Sequence, residues 1–460
     1  MHCAKRTFVT SSRCLQQAML KEESFVSRLP ASYPIKSTKL PNGLLVVSLD
    51  NNSPLSRVCA IFKAGSRVES SENEGIVHQV RNCLGTPSIK YSGITISHET
   101  ASFGGLLECT TNRDFLSYNV TAPRDAIFGA MESSISEIVC QPKFRMFLLE
   151  NSHHAMRIDH AAIREDFPSY SIDLLHKAAY RQSPLSRSLY ASNRMIGKHT
   201  ENMLYDYFER YVTSNNGALV GLGVDHELLL KYAAEMFLLP QSSAESAIHS
   251  AEKSKYGGGE MRKERGGEIT VVALAVEGAS LEDPKIQATQ TLLLNAIGSS
   301  PRMKWNSGGE SRLNRAIKSS ITNPFYISPI NLNYTDSGLC GVQYVCQAAD
   351  SEHLAKSVIG EFRKAAREGL QEKDLQAAKA KTNFQVLSAL DDNAISLDDL
   401  AVQSFVRGTY LSNSDIVKLV DGISLGEVNQ MAKKIFASKL SMVAIGNLDK
   451  TPYLDELSKL

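Results

Sequence analysis

The sequence predicts an α+β fold made of two homologous α/β-layered halves joined by a linker. Three observations carry this. The length of 460 residues exceeds what one hydrophobic core fills. The same order of strand, helix, strand pair, amphipathic helix and closing strand occurs twice. Its offset drifts from roughly 213 to roughly 223 residues, too long for a solenoid repeat. Within each half, strand-like and helix-like patterns alternate, as a layered domain requires.

In the first half, Asn42-Gly43 between two β-type segments predicts a hairpin, because both residues accept the left-handed backbone of a tight turn. The apolar run 58–63 predicts a strand leading into Ala64-Gly65-Ser66. A helical pattern follows over 75–84, then a strand pair within 107–121. Ile127, Met131, Ile135 and Ile138 make one apolar stripe at helical spacing. The half closes on a strand at 218–223 that ends in glycine.

The second half answers element by element. A strand at 270–276 leads into Glu277-Gly278-Ala279, a helix is expected over 286–297, and a strand pair within 330–348. Leu354, Val358 and Phe362 form the second stripe, and 442–446 is the closing strand. The halves are placed at 33–240 and 269–460. The intervening 241–268 is rich in Ser, Gly, Lys and Glu and includes Tyr256-Gly257-Gly258-Gly259 and Gly266-Gly267. That composition predicts an extended linker rather than a packed element.

Apolar residues make up 43% of the chain and charged residues 22%, as in ordinary globular proteins. Lys and Arg (50) nearly cancel Asp and Glu (49), leaving +1, which argues against nucleic acid as the main partner. No apolar run approaches the roughly 18–20 residues of a spanning helix, so membrane association is expected to be peripheral. Residues 1–20 carry Lys5, Arg6 and Arg13 with several hydroxyl residues, and no acid appears before Glu22. This is the pattern of a mitochondrial transit peptide, with removal expected between Arg13 and Glu23. The cysteines, at 3, 14, 59, 83, 109, 140, 340 and 346, form no C-x-x-C pair. Free, mostly buried thiols in a reducing compartment are expected.

The stretch 75–86 reads Gly-Ile-Val-His-Gln-Val-Arg-Asn-Cys-Leu-Gly-Thr. The zinc motif H-x-x-E-H sets two histidines at i and i+4 on one helix face, with a glutamate as general base. Only His78 fits; Arg81 stands at the base position and Asn82 at the second histidine. An amide is a poor zinc ligand, and a permanent cation accepts no proton from water.

Four separated segments resemble the pitrilysin family of metallopeptidases, in its mitochondrial processing peptidase branch. They are Leu40-Pro41-Asn42-Gly43-Leu44, Lys63-Ala64-Gly65-Ser66-Arg67-Val68-Glu69, the degenerate helix at 75–86, and Asn333-Tyr334-Thr335-Asp336-Ser337-Gly338-Leu339. The resemblance is collinear and covers nearly all of the chain after about residue 35. It implies two pitrilysin-type halves arranged as a clamshell or bowl. It also implies a third zinc ligand, a glutamate far beyond the second histidine; counting on from Asn82 reaches Asp159. The degenerate zinc-site positions are therefore His78, Arg81, Asn82 and Asp159, and no catalytic residue, metal or cofactor is expected.

Two alternatives attach to these positions. A rebuilt metal site could draw on His153, His154, Asp159 and His160, of which His153 and His160 share a helix face; the plainer reading is solvent-facing histidines. Or Arg81 and Asp159 form a salt bridge across the vacated site. Tyr334, which helps bind peptide in active members, is expected to pack or hydrogen-bond between the halves. The segment 298–309 corresponds to the family's glycine-rich presequence loop but carries Pro301, Arg302, Lys304 and Trp305. It is expected to be a surface loop, with partner anchoring as the alternative.

Three further segments, 172–181, 218–223 and 333–347, resemble non-peptidase members of the branch more than the peptidase itself. Those members are subunits of ubiquinol–cytochrome c reductase, respiratory complex III. This implies a structural and assembly subunit, peripheral on the matrix side of the mitochondrial inner membrane. Its partners would be a homologue, core protein 1, with cytochrome b, cytochrome c1 and the iron–sulfur protein in a dimeric complex. The alternative is a presequence-binding alpha-type subunit of a processing peptidase, and the third an independent zinc metallopeptidase.

Overall fold

The structure, a computed structural model, describes residues 33–241, 253–300, 311–318, 321 and 323–459. The expected transit peptide and most of the loop 298–309, including Arg302, Lys304 and Trp305, lie outside the described residues.

The first half holds a six-stranded sheet. Its strands are β1 (Ile35–Lys39), β2 (Leu45–Leu49), β3 (Leu55–Phe62), β4 (Leu106–Thr111), β5 (Leu116–Pro123) and β6 (Gly217–Leu222), in the order β1-β2-β6-β3-β5-β4. The hairpin β1–β2 turns at Gly43, with φ of 91°. The second half holds β7 (Glu260–Glu264), β8 (Ile269–Glu277), β9 (Tyr326–Asn333), β10 (Gly338–Gln347) and β11 (Ser441–Gly446), in the order β7-β11-β8-β10-β9. The second sheet repeats the first strand for strand once β1 is set aside. In each, one parallel pair (β2 with β6, β7 with β11) flanks an antiparallel set. The duplication read from the sequence is therefore a duplication of topology.

The match exposes one difference from expectation. Strand β7 lies inside the segment 241–268 that composition marks as linker. It is the counterpart of β2 and pairs with β11 from Met442 opposite Glu260 to Gly446 opposite Glu264. Its Glu, Arg and Lys side chains suit a sheet edge, where backbone hydrogen bonds, not apolar burial, hold the strand. The glycine run before it is also packed. Gly257 N–H donates to the Ala179 carbonyl at 2.8 Å, and the Gly259 carbonyl accepts from Met442 N–H at 2.9 Å. A Cβ on Gly259 would stand 2.7 Å from the Ala178 carbonyl oxygen, so glycine is there for close approach.

Helices cover both faces of both sheets, which is why the central strands read as continuous apolar runs. In β3, Val58, Ala60 and Phe62 enter the first half's own core. That core also takes Ile76, Val77 and Val80 of α1 (Ile76–Asn82) and Leu149 of α2 (Met146–Glu165). In β8, Val272, Leu274 and Val276 do the same in the second half.

The opposite faces are covered by exchange. Helix α3 (Phe167–Tyr180), from the first half, buries Leu174, Leu175 and Ala178 against Ala273, Ala275 and Val443 of the second sheet. Helix α4 (Asn393–Arg407), from the second half, buries Leu397, Leu400 and Ala401 against Cys59, Ile61 and Val220 of the first. Each buried leucine contributes about 1.5–3 kcal/mol, so the two helices hold the halves together. Arg181, at φ of 53°, ends α3 and donates from Nε and Nη2 to the Gly258 carbonyl at 3.0 and 2.8 Å. Gly408, in the left-handed region, ends α4.

The stripe Ile127, Met131, Ile135 and Ile138 is wholly buried; its helix changes to the wider π winding after Met131. The described cysteines are free thiols, with Cys59, Cys83, Cys340 and Cys346 buried and Cys109 and Cys140 half-buried. Among the described residues no helix is long and apolar enough to cross a membrane.

Candidate functional site

Helix α1 is started by a side chain from outside it. Glu69 is buried, and its carboxylate accepts from Gly75 N–H at 2.8 Å and Val77 N–H at 3.0 Å. Those are orphan donors of the first turn. Burial pushes the Glu69 carboxyl up to about 8, against the two amides that favour its charge. Gly75, at φ of 82°, supplies the turn into the helix.

His78, Arg81 and Asn82 fall at i, i+3 and i+4 on the face of α1 that meets α2. All three converge on Asp159 of α2. Arg81 Nη2 lies 2.7 Å from Asp159 Oδ2, His78 Nε2 lies 3.0 Å from the same oxygen, and Asn82 Nδ2 lies 3.4 Å from it. The guanidinium also stands 5.4 Å from the Tyr190 ring centroid, and the His78 ring meets Tyr190 edge-on. The salt bridge offered as one reading of this motif is thus present.

The hydrogen bonds also assign the tautomer of His78. Ala191 N–H donates to Nδ1 at 3.1 Å, so Nδ1 is the acceptor and Nε2–H donates to Asp159. Neither ring nitrogen presents a free lone pair to a cation. Burial, reinforced by the Arg81 charge, lowers the His78 imidazole to about 4, so it is neutral at physiological pH. Burial alone would raise the Asp159 carboxyl. The bonds from His78, Arg81 and Asn82 outweigh it and hold the group below its ordinary range.

The residues of the rebuilt-site alternative do not come together. Among the described residues no three His, Cys, Asp or Glu side chains converge as a metal would require. His153 is buried rather than solvent-facing, because it shares the inward stripe of α2 with Leu149 and Met156 at i−4 and i+3. His154 is exposed and His160 half-buried.

A second polar cluster ties the halves together, and it joins two of the motifs quoted above. Arg67 Nη1 lies 2.6 Å from Asp114 Oδ1 and 2.6 Å from Thr335 Oγ1, and Arg67 Nη2 lies 2.7 Å from Asp336 Oδ2. Thr335 N–H returns a bond to Asp114 Oδ2 at 2.8 Å. Next to it, Tyr334 donates its hydroxyl to His176 Nε2 at 2.7 Å, since His176 Nδ1–H is committed to the Ile172 carbonyl at 2.7 Å. Burial and the Arg113 charge hold His176 well below its ordinary value, hence neutral. Tyr334 therefore lies between the halves, as expected of it. A Cβ on Gly338 would stand 2.3 Å from the Ala279 carbonyl oxygen, so glycine permits the close strand approach there. The sequence gives no role to Glu69, Asp114 or His176; Arg67, Glu69, His176 and Asp336 stand in the quoted segments, but nothing there pairs them.

Two layered halves that repeat one sheet topology define a pitrilysin-type protein. The model of the insulinase family, peptidase family M16, matches residues 45–193, and that of the peptidase M16 inactive domain matches residues 198–382. The chain belongs to peptidase family M16. It is 32% identical over 428 residues to the human mitochondrial cytochrome b-c1 complex subunit 2, covering 93% of each chain. It is 26% identical to the mitochondrial-processing peptidase subunit beta of Saccharomyces cerevisiae, over 94% of this chain and 95% of that one. It is 24% identical to a probable mitochondrial-processing peptidase subunit alpha-1 of Arabidopsis thaliana, over 92% and 84%.

Proposed function

We propose that this chain is a non-catalytic structural and assembly subunit of the cytochrome b-c1 complex, respiratory complex III, in the role of core protein 2. The observation that carries the reading is the 32% identity to subunit 2 of that complex along 93% of both chains. In this reading the chain sits peripherally on the matrix side of the mitochondrial inner membrane. It pairs with core protein 1 and supports cytochrome b, cytochrome c1 and the iron–sulfur protein. The halves are 33–240 and 269–460, with β7, from the segment between them, added to the second sheet.

The zinc-site geometry supports the absence of peptidase chemistry. Active relatives bind zinc through two imidazoles and an acid and use a glutamate as base. Here His78 has both nitrogens engaged, Asn82 is an amide, and the base position is a cation paired to the remaining acid. The residues do not fit a zinc ion. Loss of the base alone costs about 10²–10⁴ in rate.

The experiment is affinity purification through a tag on this chain from detergent-solubilised mitochondrial membranes. Recovery with cytochrome b and cytochrome c1 is expected; recovery only from the soluble matrix would overturn the reading. The second reading, an alpha-type processing-peptidase subunit, is favoured by the likeness to such subunits at 24% identity. Cross-linking of a basic presequence peptide to this chain in a soluble two-subunit complex selects it. Against it stands the surface beside α2, which carries Arg157, Arg164 and Arg265 and repels basic peptides.

A further inference from the structure

An open cleft of about 430 Å³ lies beside the helix that carries Asp159 but on a different face of it. Arg157, Ala161 and Arg164 follow one another at i, i+4 and i+7, so they form one wall, with the small Ala161 between two guanidinium groups. Arg265, from the second half just beyond β7, stands across from them, and His160 and Asn193 add polar lining. The cleft is thus built by both halves.

Its charges are unbalanced. Glu165 Oε1 lies 3.7 Å from Arg265 Nη1, a loose pair on an exposed surface. The neighbouring carboxylates are committed elsewhere: Asp159 to His78 and Arg81, and Asp173 to Arg113 at 2.8 Å. Among the described residues neither the Arg157 nor the Arg164 side chain has a hydrogen bond or ion pair. Gathering three guanidinium groups around a concavity with a single carboxylate, Glu165, is unfavourable, and an anionic ligand offsets it. Guanidinium forks match phosphate oxygens bidentately. The volume suits a compact ligand rather than a peptide, and Ala161 alone supplies apolar lining for side chains.

We propose that this cleft binds a compact polyanion carrying at least two phosphate groups, held by Arg157 and Arg164 of the first half and Arg265 of the second. Such phosphates come from a soluble polyphosphate compound or from the headgroup of a doubly charged phospholipid. The shared chemistry is the same, and the sources are separable.

The test is calorimetric titration of the full-length chain with inorganic pyrophosphate at physiological salt, in the wild type and in Arg157→Gln, Arg164→Gln and Arg265→Gln. These side chains reach solvent, and an unchanged melting midpoint without ligand verifies that each variant folds. Binding by the wild type, weakened roughly tenfold or more by each substitution, is the expected result. Flotation with phosphatidylcholine vesicles, with and without cardiolipin, separates the sources. Cardiolipin-dependent binding that pyrophosphate competes away assigns the lipid headgroup, and pyrophosphate binding without vesicle binding assigns a soluble ligand. Absence of pyrophosphate binding, binding untouched by all three substitutions, or capture of a glutamate-rich peptide in its place would overturn the proposal.

Discussion

Arg81 Nη2 stands 2.7 Å from Asp159 Oδ2, the oxygen that also accepts the Nε2–H of His78 at 3.0 Å. The positive charge beside Asp159 belongs to a side chain of the same protein. Arg81 balances the charge of Asp159.

The pair is partly exposed, 24% for Arg81 and 36% for Asp159, so its worth lies between a surface and a buried ion pair. Arg81→Glu places two carboxylates on one site and is expected to cost about 1 kcal/mol or somewhat more in urea denaturation. Combining it with Asp159→Arg is expected to restore much of that loss. A double variant no better than the single one would show that the pair is not coupled.

Stability is expected to fall on acidification through the imidazole of His78. Its folded value of about 4 lies below the ordinary value of about 6.5, so the unfolded chain binds the proton first. The contribution is complete above about pH 6.5 and is lost progressively as pH falls toward 4. Between pH 7 and pH 5 it amounts to ~2 kcal/mol. Denaturation curves at the two pH values should show this loss, with a smaller slope in His78→Leu.

Arg67 bridges the halves from within a buried cluster. Arg67→Met leaves Asp114 and Asp336 without their cation, an uncompensated burial expected to cost about 3–5 kcal/mol. Asp336→Asn keeps the shape, and Arg67 retains Asp114, so a smaller loss is expected. Equal losses in chemical denaturation would contradict a shared network.

Gly259→Ala tests whether 257–264 is packed or free. Its Cβ would meet the Ala178 carbonyl oxygen at 2.7 Å, forcing α3 and β11 apart. A loss of about 1–3 kcal/mol is expected, whereas an unpacked linker would tolerate or prefer alanine. Gly266→Ala, with nothing near its Cβ, is the local comparison; its φ of 65° alone makes it mildly costly.

Much of the fold was readable because the counterpart strands β3 and β8 each carry an apolar run, and the stripes at 127–138 and 354–362 keep helical spacing. The frame of the site was readable because His78, Arg81 and Asn82 sit three and four residues apart on one helix. The count along the family's pattern then reached Asp159. The exchange of α3 and α4 was not readable: an apolar helix face does not say which sheet it covers. Nor was β7, since Glu260-Met261-Arg262-Lys263-Glu264 has loop composition and is held by backbone bonding to β11. The burial of His153 was hidden for a related reason. A histidine on a helix shows its surroundings only when its stripe-mates Leu149 and Met156 are known to face inward.

The most direct test is elemental analysis of the chain purified without chelator and then equilibrated with zinc at neutral pH. With both nitrogens of His78 engaged and Arg81 paired to Asp159, substoichiometric zinc is expected, unchanged by His78→Ala. One zinc per chain, lost in His78→Ala or Asp159→Ala, would contradict the account.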